Sequence, residues 1–445
     1  MTPSPEQLPV RRLGIASATA VVIASMIGTG VFTTTGFLVE ALGSPFTVLA
    51  AWVVAGALAL CGALSYAELA AALPRNGGEY QLLGRIYHPA VGFIAGVISL
   101  VVGFAAPLSA SALAFGHYLA VVFPVVPPVG AAMGIIVLAA LAHGLDVAWG
   151  ARAQHLMTFV QIAVIAVMIA VGLTLGQPAR VVDASTRFTA DALLSPQFAV
   201  ALIFVSFAYS GWNGAVYLAG EVKTPARTLP IALIAGTTIV AVLYVGVNVV
   251  MLAAVPAREL AGVVEVANTA AVRLVGAGGG RLLSAVIAFA LASSVSAMLM
   301  AGPRVYEAMG RDYSILEALA YRTRRGAPLV SVAVQTALAL VMVVTATFGW
   351  LLGFIGFTLS ICAMLTVVGV VVLRYREPDL PRTYRAWGYP VTPILFAGLS
   401  TWMALHSIVE QPASSLAGLA VIVVSALAYG VVMRVGKAGK TAVLT

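Results

Sequence analysis

Apolar residues fill this chain in stretches of membrane length separated by short polar turns. The pattern predicts helices at 13–40, 44–73, 89–123, 129–146, 151–177, 198–219, 228–255, 281–309, 328–347, 350–374, 390–409 and 414–434. Roughly 20 residues at 1.5 Å rise each cross a hydrocarbon core, so these runs predict an all-α membrane protein with about twelve transmembrane helices. In the first run, SATAVVIASMIGTGVFTTTGF, Gly28, Thr29 and Gly30 fall at the midpoint, where a helix tolerates interruption least. Each unpaired N–H or C=O in hydrocarbon costs several kcal/mol, so irregular backbone persists at that depth only where it lines a polar cavity. The sixth run, FVSFAYSGWNGAVYLAGEVKTP, carries Ser210, Gly211, Asn213 and Gly214 at the same depth, five helices later. Five crossings start helix 6 on the side opposite helix 1, as inverted repeats require. The expected organisation is a single domain over 1–445. Its first five-helix repeat spans 13–177, its second 198–374, and two appended helices occupy 390–434.

Composition agrees with this pattern. Of 445 residues, 61% are hydrophobic and 9% charged, and mean hydropathy is +1.03, far from soluble composition. With both termini in the cytoplasm, all but five of the 24 Lys and Arg fall on the cytoplasmic side; Arg180, Arg187, Arg258, Arg273 and Arg281 fall outside. That asymmetry follows the positive-inside rule. The net charge of +8 then reads as loops facing anionic lipid, which argues against a nucleic-acid partner. The run after Arg11 and Arg12 is too long for a signal peptide and is read as a retained first helix. Cys61 and Cys362 fall inside predicted helices and are read as packing residues. No Asn-x-Ser/Thr sequon occurs, which favours a bacterial inner membrane over a glycosylated surface.

The chemistry expected at the two interruptions suits a small zwitterion. The N–H groups of Gly28, Thr29 and Gly30 open the outer half-helix and offer about half a positive charge to a carboxylate. Carbonyls freed near Ser25, Met26 and Ile27, and around Phe207, Ala208, Ser210 and Gly211, would take an ammonium group. The competing reading is close helix packing, since Ala24 and Gly28 form a small-xxx-small pair. Asn213 is expected to contact the ligand, where the plain alternative is a bridge between helices worth about 0.6 kcal/mol. Gly103 and Met298 are expected to shape the side-chain end of the pocket. Serines of LASSVSAM, among them Ser293, Ser294 and Ser296, ordinarily bond back to their own helix. Glu40, Glu68, Asp146 and Glu307 all sit near helix ends, so a cationic side chain would find no partner at mid-membrane, and a neutral ligand is favoured. His143, Asp146 and His155 read as interfacial polar groups, and no metal-ligand set, cofactor motif or catalytic constellation is expected. A channel would call for a continuous polar or charged pore, not two isolated breaks.

The phrases GTGVF, SYAELAAALPRNGGEYQLLGRIYHPAVGFIAG, FAYSGWNGAVYLAGEVKTPARTLP, RVYEAMGRDYSILEALA and VVLRYREPDLPRTYRAWGYPVTPILF, in this order, resemble the amino acid-polyamine-organocation superfamily. They are most similar to its L-type amino-acid transporters, over residue 13 to the end of helix 11. The resemblance implies a LeuT-type 5+5 inverted repeat with broken helices 1 and 6, and a secondary transporter or exchanger working by alternating access. It implies the substrate roles given above for the two breaks and makes Phe207 an aromatic gate, where the plain alternative is an ordinary core or lipid-facing ring. It places Ser293 and Ser294 where sodium-coupled relatives hold an ion. In helix 5 many relatives carry a Lys where this chain has Gln161. An amide has no proton to give, so coupling to H⁺ or Na⁺ stays open and an exchanger or facilitator is expected. The helix 3–4 loop FPVVPPVG lacks the Cys that joins a heavy subunit in eukaryotic relatives, so no covalent partner is expected. Within the superfamily, a carrier of another amine or polyamine is the alternative.

Overall fold

The computed structural model describes residues 13–144, 151–177, 189–323 and 326–442. Arg11, Arg12, Asp146, Arg180, Arg187, Arg324 and Arg325 lie outside the described residues, as do the side chains of Arg152, His155, Lys437 and Lys440.

The first apolar run forms two helices, α1 (Ile15–Met26) and α2 (Gly30–Leu42), set at a bend of 40°. Ile27 leaves helical geometry at ψ 96°. Next come α3 (Pro45–Ala72), the short α4 (Gly78–Ile86) and α5 (Pro89–Ile98). The chain then widens into a π-helical turn, Ser99–Ala105, before continuing as α6 (Ala106–Val122). Helices α7 (Pro128–Gly144) and α8 (Ala151–Leu175) follow. Helix α9 (Pro196–Tyr209) begins with Ser195 accepting the Phe198 N–H, which satisfies one orphan donor of its first turn. After an irregular stretch, a 3₁₀ segment covers Gly214–Glu221. The remaining helices are α10 (Pro225–Ala254), α11 (Ala257–Leu260), α12 (Val266–Asp312), α13 (Leu329–Thr345), α14 (Phe348–Arg376), α15 (Val391–Glu410) and α16 (Pro412–Ala442).

Among the described residues there are no strands, only one isolated bridge between Leu13 and Val222. Eight helices are long and apolar enough to cross a membrane, and the α1–α2 pair makes a ninth span if taken as one. Three shorter apolar helices accompany them, Pro128–His143, Phe159–Leu175 and Leu329–Thr345. The chain is therefore an all-helical, multi-pass membrane protein.

Two sequence expectations need correction. The stretch 256–280, left outside the predicted helices 228–255 and 281–309, is largely helical: it holds α11 and the start of α12, bent at Gly276, where φ is +81°. Its mix of Asn268, Arg273 and glycines lowers hydropathy below a spanning threshold without preventing helix formation. The run 89–123 is not one regular helix, because hydropathy carries no signal for a π turn.

At one end of the bundle the polar motif after α14 is clamped to α3. Buried Glu68 accepts from Arg374 at 2.8 and 2.6 Å, and from the Ala386 N–H at 2.7 Å; Arg382 Nε lies 3.5 Å away. Arg382 also donates to the carbonyls of Leu373, Glu377, Pro378 and Leu380. The Arg374 guanidinium lies 3.7 Å over the Tyr389 ring. Nearby, Arg85 meets Glu377 through two bonds of 2.6 and 2.9 Å. These bonds give each guanidinium a carboxylate or a set of carbonyls in a geometry suited to its planar donors.

Candidate substrate site between two interrupted helices

The two interruptions meet in space. A Cβ on Gly30 would overlap the Ala208 main chain, and one on Gly211 would overlap the Ser25 carbonyl. Gly214 packs equally tightly on the Ser25 side chain. Gly211 also has φ +96°, a conformation available to glycine at little cost. Thus Ser25, Gly30, Ala208, Gly211 and Gly214 form one junction, and the two irregular stretches support each other.

At this junction α2 begins with Thr29 at its N-cap, without a side-chain cap. Among the described residues, the N–H groups of Thr29 and Val31 make no backbone hydrogen bond. A helix start with orphan donors is an anion-binding feature when a cavity adjoins it. Gly28 borders open space, with nothing within 4 Å of where a Cβ would stand. Ser25 is exposed, although Met26, Ile27, Thr29 and Gly30 around it are buried.

Several freed carbonyls are already engaged. The Met26 carbonyl accepts the Tyr244 hydroxyl at 2.6 Å, and the Phe207 carbonyl accepts the Ser210 N–H at 2.9 Å. Behind the junction stands a wall of aromatic rings. Tyr209 and Tyr244 centroids lie 5.2 Å apart, and Trp52 lies 5.8 and 5.5 Å from them. The Tyr209 hydroxyl donates to the Trp52 carbonyl at 3.0 Å. Buried Tyr hydroxyls need a partner, and here each holds a main-chain carbonyl. Phe207 is buried on α9 immediately before the second interruption.

The Asn213 side chain is engaged by an acid of α4. Its Nδ2 donates at 3.0 Å to buried Glu79, which also receives the Tyr66 hydroxyl at 2.5 Å and the Cys362 thiol at 3.3 Å. The helix-bridging role is the one its side chain takes. Glu79 sits on α4, outside the long spanning helices, and burial pushes its carboxyl above the ordinary Glu range despite three donors that pull it down. The apolar-run reading passed over Glu79 because it lies between predicted spans. The glycine pair Gly77–Gly78, both at positive φ, was the available signal that this turn is tightly built.

Gly103 lies in the π turn, with only Ser99 Cβ at 3.8 Å and the Ile98 carbonyl at 3.9 Å near a Cβ position. Met298 on α12 is partly buried, and its carbonyl accepts from Gln335 at 3.0 Å. Gln161 is buried on α8, with Nε2 3.4 Å from Ser294 Oγ and 3.5 Å from the Ala290 carbonyl. These are long contacts. Ser294 bonds back to Ala290 at 3.2 Å, and half-buried Ser293 sits beside it on α12. His143 is half-buried and meets Ser296 at 2.8 Å. Sequence reading also missed Trp52, Tyr209 and Tyr244, whose rings are hard to separate from ordinary core by pattern alone.

An all-helical membrane protein whose two interrupted segments converge on open space, orphan donors and engaged carbonyls has the build of a small-molecule carrier. A family model described as "Amino acid permease" matches residues 13–432, and the chain belongs to that family. Its relatives are transporters and not enzymes. The cystine/glutamate transporter of Homo sapiens is 28% identical over 94% of this chain and 84% of its own length. The serine/threonine exchanger SteT of Bacillus subtilis (strain 168) is 30% identical over 86% of this chain and 88% of its own. The large neutral amino acids transporter small subunit 2 of Homo sapiens is 27% identical over 94% and 80%.

Proposed function

We propose that this permease moves a neutral L-amino acid by alternating access, as an exchanger or facilitator, with substrate held where the two interruptions meet. The observation that carries this reading is the junction of Ser25 and Gly30 with Ala208 and Gly211, beside the open space at Gly28 and the N–H groups of Thr29 and Val31, which make no backbone hydrogen bond among the described residues. A substrate carboxylate belongs at the start of α2, and its ammonium group near the carbonyls of Ser25 and Ala208. Phe207 closes the site as a gate. Gly103 and Met298 border its side-chain end, and Gln161 with Ser293 and Ser294 form the candidate coupling region.

The eight long helices, the bent pair and the three shorter apolar helices support twelve crossings. They also support a LeuT-type pair of inverted repeats over 13–177 and 198–374, with helices 1 and 6 broken. The relatives, by name amino-acid transporters and an exchanger, support the substrate class and the exchange mode. Neutrality is supported at Glu79, the buried acid nearest the second break, whose oxygens are already taken by Tyr66, Asn213 and Cys362. The charge pattern supports cytoplasmic termini in a bacterial inner membrane. The exposure of Ser25 against the burial of Val31 to Thr35 supports a conformation open on the α1 side.

The experiment is uptake into proteoliposomes with a panel of amino acids, with and without internal amino acid, under imposed pH or Na⁺ gradients. Saturable uptake that requires internal neutral amino acid is the expected result; uptake of polyamines in preference to amino acids would overturn it. The site assignment is tested by Gly28→Leu, whose Cβ would stand in open space with no atom within 4 Å. Binding measured by scintillation proximity is expected to fall at least about tenfold, roughly 1.4 kcal/mol, with thermal stability unchanged. Wild-type binding would remove the site from this position. At the coupling region, Gln161→Lys is expected to slow exchange about tenfold at acidic pH, with recovery as the introduced amine loses its proton. An unchanged pH profile would exclude Gln161 from coupling.

A further inference from the structure

The Glu79 cluster is not used by the transport cycle described above. Glu79 is 4% exposed, and among the described residues it forms no ion pair. Its oxygens receive only neutral donors. Oε1 takes the Tyr66 hydroxyl from α3 and the Asn213 amide, and Oε2 takes the Cys362 thiol from α14. Tyr217, on the Gly214–Glu221 segment, packs its ring on Gly78 beside this carboxyl. Helix α5, also packed on α4, has no titratable residue. The charged groups facing α4 from α14 and its end, Arg376 on the Ile86 carbonyl and Glu377 on Arg85, meet it about two turns away.

A carboxylate accepting three donors is suited to the ionised form, because a protonated acid would need an acceptor for its own hydrogen. One of those donors stands two residues after Gly211, on the segment that joins the interruption to the rest of the protein. A rearrangement of the second break that moves Asn213 therefore takes one of three neutral donors from a buried carboxylate that has no ion pair among the described residues. Loss of that donor raises the affinity of the carboxylate for a proton from solvent.

We propose that Glu79 is a proton-binding site tied to the second interruption through Asn213, ionised while Asn213 donates to it and protonated when Asn213 withdraws. Among the described residues Glu79 shares no hydrogen-bond partner with Gln161, and its proton binding does not require that amide to take part in coupling. Its place in the transport cycle rests on the carrier reading, but proton binding itself does not.

The test is a pH titration of the purified full-length protein, without amino acid, by infrared difference spectroscopy of the protonated-carboxyl C=O band. Wild type is expected to show a band titrating above the range of exposed carboxylates, and Glu79→Gln to lack it. In Asn213→Ala, which keeps Glu79, the midpoint is expected to rise by about one pH unit, a tenfold gain in proton affinity. Identical titrations of wild type and Glu79→Gln would overturn the site. An unmoved midpoint in Asn213→Ala would overturn its tie to the break, and this second variant decides the matter if Glu79→Gln does not fold. If proton binding holds while transport proves unlike that of a carrier, only the functional role of the site falls.

Discussion

Gly211→Ala abolishes amino-acid exchange and lowers the melting temperature in detergent; that is the largest functional effect expected of any single methyl group added to this protein. Two costs add. An L-residue at φ +96° is strained by about 1–2 kcal/mol. The new Cβ also overlaps the Ser25 carbonyl, which is main chain and cannot rotate aside. Overpacking of a tight core costs about 1–3 kcal/mol where neighbours can adjust, and a backbone neighbour adjusts least. Gly30→Ala meets the Ala208 main chain in the same way and is expected to behave alike. Neither variant isolates substrate binding from folding, which is why Gly28 is the cleaner probe. Exchange in proteoliposomes and thermal unfolding, read together, check the expectation; wild-type rates in Gly211→Ala would mean that the two segments do not need their close approach.

Glu68→Ala is expected to have the largest effect on stability without touching the substrate junction. It leaves Arg374 and Arg382 facing each other with no shared carboxylate, and deprives the Ala386 N–H of its acceptor. Removing one partner of a buried ion pair costs about 3–5 kcal/mol. The Arg374 side chain is 22% exposed, so solvent screening places the expected loss toward the lower end of that range. Unfolding followed by scanning fluorimetry should show a drop of several degrees. Glu68→Asp, which keeps the charge on a shorter stem, should recover part of it. Equal melting of Glu68→Ala and wild type would show that the clamp contributes no stability.

How far the chain was legible before its structure depended on which physical signal each element carries. Long apolar runs announce helices in lipid because hydrocarbon forbids unsatisfied backbone, so α3, α10 and α14 were readable almost to their ends. The interruptions were readable for the same reason turned around: Gly28 to Gly30 and Ser210 to Gly214 are poor helix in a place where helix is compulsory. Their close approach was not readable, since nothing in the spacing of Gly30 and Ala208 says that they touch. The direction of Asn213 was equally hidden. Its partner, Glu79, lies in a short amphipathic helix between spans, and only the fold brings that carboxyl beneath the second break. Tyr244 and Trp52 were invisible for another reason, because an aromatic ring in an apolar run looks the same whether it fills a core or holds a carbonyl.

The π-helical turn at Ser99–Ala105 carries a consequence for comparing this chain with its relatives. A π turn is an α-helix with one residue too many, and a residue turns an α-helix by about 100°. Deleting one residue between Ser99 and Ala105 would therefore restore regular winding and leave α5 and α6 facing as they do, because the wide turn already absorbs the extra residue. An alignment gap of one position there would be a change of length, not of facing. A permease that had lost that residue would keep the faces of α5 and α6 and lose only the widened backbone whose Leu100 carbonyl meets Tyr306.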